Sequence, residues 1–158
     1  MTLEESLAKS INTVAVRVAR HAGPAAIIDT ARRVGITTPL AEDLGLALGT
    51  SEVTLLDLTA AYAPFANGGL AIVPYGMVDV VTREGTVLYQ RAGGGLGRIA
   101  EPDVIGMMNR MLVRTLEDGT GTSAHIGRPA AGKTGTSQDF RDAWFVGYTP
   151  DPVSYTHL

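Results

Sequence analysis

The order in which the hydrophobic period changes along this chain constrains its fold more than any other feature. Apolar residues recur at three- and four-residue spacing in "TLEESLAKSINTVAVRVARHAG", "GPAAIIDTARRVG" and "TLLDLTAAYAPFANGG", the period of a helix. Short β-branched and aromatic runs follow in "IVPYGMVDVVTREGTVLYQ". One more helical stretch, "EPDVIGMMNRMLVRTLEDG", precedes "AGKTGTS" and "DAWFVGYTP". Helices first and strands later, with one helix between the strand groups, predict an α+β fold with a mainly antiparallel sheet.

Within the first stretch, Leu3, Leu7, Ile11, Val14 and Val18 form the stripe, and Thr2 and Glu5 have capping-box spacing. Ser10 and Asn12 interrupt it, because their side chains compete for backbone hydrogen bonds. The expectation is a short helix, a break at residues 10–12, and a second helix to about His21. Pro24 suits a first helical turn and Gly35 a stop. Residues 36–53 read as a loop. Thr54 caps the third stretch, Asn67, Gly68 and Gly69 stop it, and Pro64 is expected to end or kink it early. Glu84 and Gly85 mark the turn of a β-hairpin, and "RAGGGLG" reads as a flexible connector. Across residues 101–119, Val104, Ile105, Met108, Met111, Leu112 and Leu116 are expected to point inward, the methionines as core filling. "QDFR" is the expected turn between the last two strands. No repeat or linker divides the chain. Residues 1–151 read as one domain, and "PVSYTHL", 152–158, as an atypical tail resembling a truncation scar.

Composition excludes several classes. The chain has 158 residues, 45% hydrophobic and 18% charged, so it can bury a core. A net charge of −3 gives no footprint for a nucleic-acid partner. With no cysteine, disulfides and thiolate metal sites are excluded. His21, His125 and His157 are scattered without ligand spacing, so neither metal nor cofactor is expected. Glu4, Glu5, Lys9, Arg17 and Arg20 break any secretory apolar core, and no apolar run reaches membrane-spanning length. A protein of this sequence working outside the membrane would need a targeting segment elsewhere.

Four short motifs could carry chemistry. "GRPAAGKT", Gly127 to Thr134, matches the phosphate-binding pattern G-x-x-x-x-G-K-[ST]. That pattern needs a buried strand before it and a helix after it, and the flanking "GTGTSAHI" and "GTSQDFRD" suit neither. Read instead as a strand, "KTGT" places Thr134 and Thr136 on one face. Their hydroxyls, with Lys133 nearby, can bind a carboxylate, while Gly135 leaves room for a ligand backbone. At the other end, "SLAKSIN" overlaps two signals. Ser6 and Lys9 spell S-x-x-K, a serine nucleophile with its lysine base. Ser10 and Asn12 spell S-x-N, which faces such a nucleophile across a cleft.

Together with their flanks, "SLAKSINTVAVRVA", "LALGTSEVTLLDLTAAYAPFANGG" and "RPAAGKTGTSQDFRDAWFVGYTPD", these motifs resemble the transpeptidase domain of class A, bifunctional penicillin-binding proteins, over residues 2–151. The resemblance implies an antiparallel sheet flanked by helices, with a helical subdomain across the cleft. It implies D,D-transpeptidase chemistry. A serine takes the acyl group of a D-Ala-D-Ala stem peptide and passes it to an amine on a second stem, and β-lactams trap that serine. Carried over, Ser10 joins the proton relay to the leaving amine, and Asn12 bonds the substrate backbone. Lys133 supplies positive charge, Thr134 and Thr136 bind the donor carboxylate, and the Thr136 N–H is half of the oxyanion hole. Serine β-lactamases share the motif set, but the flanks are closer to the transpeptidases.

Ser6 and Lys9 fit that scheme poorly. Ser6 stands about one helical turn, roughly 6 Å of rise, from Ser10, which leaves no room for a peptide between them. The expectation is that S-x-x-K here is a chance match, that no nucleophile lies in this chain, and that the chain is the C-terminal part of a transpeptidase domain, inactive alone. Its parent is expected to be anchored at the outer face of the cytoplasmic membrane, with an upstream glycosyltransferase domain. The alternatives are a P-loop nucleotide hydrolase using Gly127 to Thr134, and a non-catalytic scaffold of the same fold.

Overall fold

The computed structural model describes residues 1–137 and 143–150. Among the described residues, five α-helices and six strands follow in chain order: α1 (Leu3–Ala8), α2 (Asn12–Ala22), α3 (Pro24–Arg33), α4 (Leu55–Ala66), β1 (Leu70–Ala71), β2 (Asp79–Val81), β3 (Val87–Gln90), β4 (Gly97–Arg98), α5 (Pro102–Glu117), β5 (Ala131–Thr136) and β6 (Ala143–Tyr148). The strands pair antiparallel as β1 with β4, β2 with β3, and β5 with β6. This is the α+β arrangement of the sequence pattern, with its sheet in two-stranded pieces among the described residues.

Local chemistry explains most boundaries. The Thr2–Glu5 capping box forms, with the Thr2 N–H donating to Glu5 Oε2 at 2.8 Å and the Glu5 N–H to Thr2 Oγ1 at 3.2 Å. The Asp57 N–H donates to Thr54 Oγ1 at 3.0 Å, capping α4. Gly85, at φ +88°, turns the β2–β3 hairpin.

α5 is the central support. Ile105, Leu112, Thr115 and Leu116 are buried along one side, and the helix packs on α1 and β5. Each fully buried aliphatic side chain contributes about 1.5–3 kcal/mol. A second cluster joins Val34, Ile36 and Ala61, with Ala31, Leu40, Val53 and Ile99 packed against it. Asn109 of α5 ties α4 to β6. Its Nδ2 donates to the Phe65 carbonyl at 2.9 Å, and its Oδ1 accepts from Tyr148 Oη at 2.6 Å. Burial raises the Tyr148 phenol above its ordinary pKa, so it remains a donor.

β5 is buried at one end and open at the other. Ala131 and Gly132 are buried, Lys133 and Thr134 half-buried, Gly135 and Thr136 exposed. A Cβ on Gly132 would stand 2.7 Å from the Phe145 ring, so the strand's root requires glycine there.

Four expectations need correction. Pro64 does not end α4, which continues to Ala66. Less than one turn follows, Asn67 still donates to Ala63 O at 3.1 Å, and Pro64 itself is buried. Val104 lies on the outer side of α5, 45% exposed. "RAGGGLG" is not wholly a connector, since Gly97 and Arg98 pair with Ala71 and Leu70. Residues 36–53 contain a 3-10 turn, Leu44–Leu48, capped by Asp43 through the Gly45 N–H at 2.7 Å. The "QDFR" turn and the 152–158 tail lie outside the described residues.

Candidate active site

Ser10 occupies the position after a helix end where glycine is usual. The Ser10 N–H donates to Leu7 O at 3.0 Å and the Ile11 N–H to Ser6 O at 2.9 Å, the paired bonds of a Schellman motif. That motif needs a left-handed residue, and Ser10 has φ +53°, the one non-glycine residue with positive φ among those described. A serine held there costs about 1–3 kcal/mol. Glycine would form the same turn without that cost, but it would lack the hydroxyl.

That hydroxyl meets β5. Lys133 Nζ donates to Ser10 Oγ at 2.9 Å and to the Thr134 carbonyl at 2.9 Å. Residues 123 apart in sequence thus close one polar corner. Lys133 is half-buried, and desolvation lowers its pKa from the usual lysine value. Because Ser10 Oγ accepts from an ammonium, its own proton is left for another acceptor.

Asn12 is the first residue of α2 and exposed. With Ser10 and Lys133 it lines a groove of about 450 Å³, whose apolar wall is Leu3, Leu7, Ile11, Val14 and Val18. The stripe that marked these helices in the sequence therefore lines an open groove rather than a closed core. No three His, Asp or Glu side chains cluster to hold a metal ion among the described residues.

Thr134 and Thr136 stand two apart on β5, opposite Phe145 and Ala143 of β6. The Thr134 hydroxyl lies 2.5 Å from that of Thr120. The sequence pattern missed Thr120, which it showed only within "GTGTSAHI", the flank of the phosphate-loop match. Its signal was present in "GTG", a hydroxyl between two glycines. A Cβ on Gly135 would meet nothing nearer than Trp144 Cβ at 4.0 Å. The protein itself does not require glycine there, in contrast to Gly132.

Ser6 has a different environment. It is 6% exposed, and its hydroxyl donates to the Thr2 carbonyl at 2.7 Å, while Lys9 is exposed. The phosphate-loop reading fails on geometry. Lys133 lies inside strand β5, which begins within the motif at Ala131 and runs to Thr136. The required helix does not start at Thr134.

Comparison with known proteins bears on the family and the fold. Residues 1–156 match the family described as penicillin binding protein transpeptidase domain. Penicillin-binding protein 1A of Aquifex aeolicus (strain VF5) is 37% identical over 150 residues, covering 95% of this chain and 20% of the relative. The chain thus spans about a fifth of that relative's length. Among solved structures, PonA1 of Mycobacterium tuberculosis in complex with penicillin V aligns with a TM-score of 0.79 and 27% identity, over 94% of this chain and 45% of the other. Penicillin-binding protein 1A of Haemophilus influenzae gives a TM-score of 0.84 at 23% identity, over 94% and 28%, a likeness of fold. The match across nearly the whole sequence places this chain in the penicillin-binding protein transpeptidase domain family.

Proposed function

We propose that this chain forms two walls of a D,D-transpeptidase site, and that the nucleophilic serine is supplied by a segment outside residues 1–158. The observation that carries the reading is the 2.9 Å bond from Lys133 Nζ to Ser10 Oγ. The serine oxygen attacks the penultimate carbonyl of a D-Ala-D-Ala stem peptide. The peptide C–N bond breaks, and terminal D-Ala leaves with a proton passed through Ser10. An acceptor amine on a second stem then attacks the acyl-serine, losing a proton and releasing the serine. Asn12 bonds the donor backbone. Thr134 and Thr136 take its terminal carboxylate, with Lys133 adding charge. The Thr136 N–H contributes half of the oxyanion hole, where one donor lowers the barrier by about 3 kcal/mol. β-Lactams fit the same scheme, consistent with the penicillin V complex of the PonA1 relative.

Ser6 does not serve as the nucleophile in this reading, because its hydroxyl is buried and bonded to its own helix. The groove beside Ser10 is where the serine-bearing segment would lie. In the parent protein the site works at the outer face of the cytoplasmic membrane, beside an upstream glycosyltransferase domain. Among the described residues no helix is long and apolar enough to cross a membrane.

Fluorescent penicillin tests this. Residues 1–158 alone should stay unlabelled, and the full-length protein should label covalently. Labelling of the short chain that disappears in Ser6→Ala overturns the serine assignment. An unlabelled full-length protein favours the non-catalytic scaffold.

A further inference from the structure

Thr120 touches both walls of the site. Its backbone N–H donates to the Ala8 carbonyl at 3.0 Å, two residues before Ser10, and its hydroxyl lies 2.5 Å from the Thr134 hydroxyl on β5. The loop is held closely. A Cβ on Gly119 would collide with the Ala8 carbonyl and stand 2.8 Å from Thr115 Cα, and one on Gly121 would be 3.2 Å from Leu116 Cδ2 and from Thr115 O. Thr115 is fully buried. Thr120 is therefore seated on the end of α5 and on α1, so its hydroxyl has a fixed origin.

Each hydroxyl carries one proton, so the Thr120–Thr134 pair has two polarities. If Thr134 donates to Thr120, it faces an incoming carboxylate with lone pairs only, and a carboxylate accepts but does not donate. If Thr120 donates, the Thr134 proton is released toward the anion, and accepting one hydrogen bond makes Thr134 a stronger donor in the next. Only the second arrangement recognises a carboxylate. We propose that Thr120 is a positioning residue that turns the Thr134 hydroxyl proton toward the donor's carboxylate while tying K-T-G-T to the S-x-N helix. This rests on the acyl-transfer reading above.

The test compares acylation of the full-length protein by a fluorescent penicillin and by the methyl ester of the same compound. Thr120→Val should lower acylation efficiency with the free acid about fivefold, because the Thr134 proton is no longer held toward the anion nor its bond strengthened by a second hydroxyl. It should leave the ester's rate near wild type, and Thr120→Ser should restore the acid rate to within about twofold. Thr120→Ala, measured the same way, decides the matter if the valine variant does not fold. Equal losses on acid and ester, or no loss on the acid, overturn the inference while leaving the transpeptidase reading intact. A wild-type protein that neither compound acylates overturns both.

Discussion

Ser6 and Ser10 lie one helical turn apart in "SLAKSIN", and both belong to motifs of serine chemistry, yet their surroundings differ completely. Ser6 sits inside α1, buried, with its proton on the carbonyl four residues back. Ser10 sits just past the helix end, in a backbone conformation that serine rarely adopts, with a lysine amine on its oxygen. A motif gives residue types and spacing, whereas reactivity depends on where the one hydroxyl proton is engaged. The rarer backbone conformation belongs to the serine whose hydroxyl is oriented by another part of the chain.

The sharpest way to break this comparison is to remove each hydroxyl in the full-length protein. Ser10→Ala should slow penicillin acylation by about 10²–10⁴-fold, the range for a positioned proton-transfer group, read as the rate of covalent labelling. Ser10→Gly should be as damaging to acylation. Because glycine adopts positive φ freely, it should also raise thermal stability by about 1 kcal/mol, read from the unfolding midpoint. A loss of stability there would show that Ser10 is not strained.

Lys133 gives a pH test of the same pair. Burial lowers its pKa, so the ammonium is lost below the usual lysine range, and acylation should fall as pH rises through that lowered value. In the interval up to the ordinary value the unfolded chain binds the proton more tightly, so stability should rise with pH there. Lys133→Arg should remove that activity limb, since guanidinium stays charged. The smallest effect belongs to Ser6→Ala. Acylation should be unchanged, and stability should shift by about 1 kcal/mol or less, the net worth of one hydrogen bond to a backbone already bonded.

The α+β class, the break just before α2, the capping box and the β2–β3 hairpin were legible because each has a local cause in period, cap or turn. The pairing of Gly97 and Arg98 with β1 was not, since a two-residue strand carries no period. Pro64 misled as a stop because its missing N–H costs only the bond to the Ala60 carbonyl one turn back, while the residues after it still donate, and the helix runs on to Ala66. Val104 misled because helical period gives a stripe but not its edges. At the site, S-x-N and K-T-G-T were visible as types in sequence order. The left-handed Ser10 and the Thr120–Thr134 contact were not, since both arise from where α1, α5 and β5 meet.

One feature of the fold reaches further than its position suggests. β5 behaves as a cantilever, with its root clamped by Gly132 under Phe145 and by the Tyr148–Asn109–Phe65 chain, and its tip at Thr136 open. From Gly132 to Thr136 the strand extends about 13 Å at roughly 3.3 Å per residue. A tilt of about 5° at the root therefore moves the tip by about 1 Å, a displacement that can cost a reaction about 10²-fold. On the proposed acyl-transfer reading, substitutions at Asn109 or Phe145 should thus alter acylation from the root of the strand, without a place at its open tip.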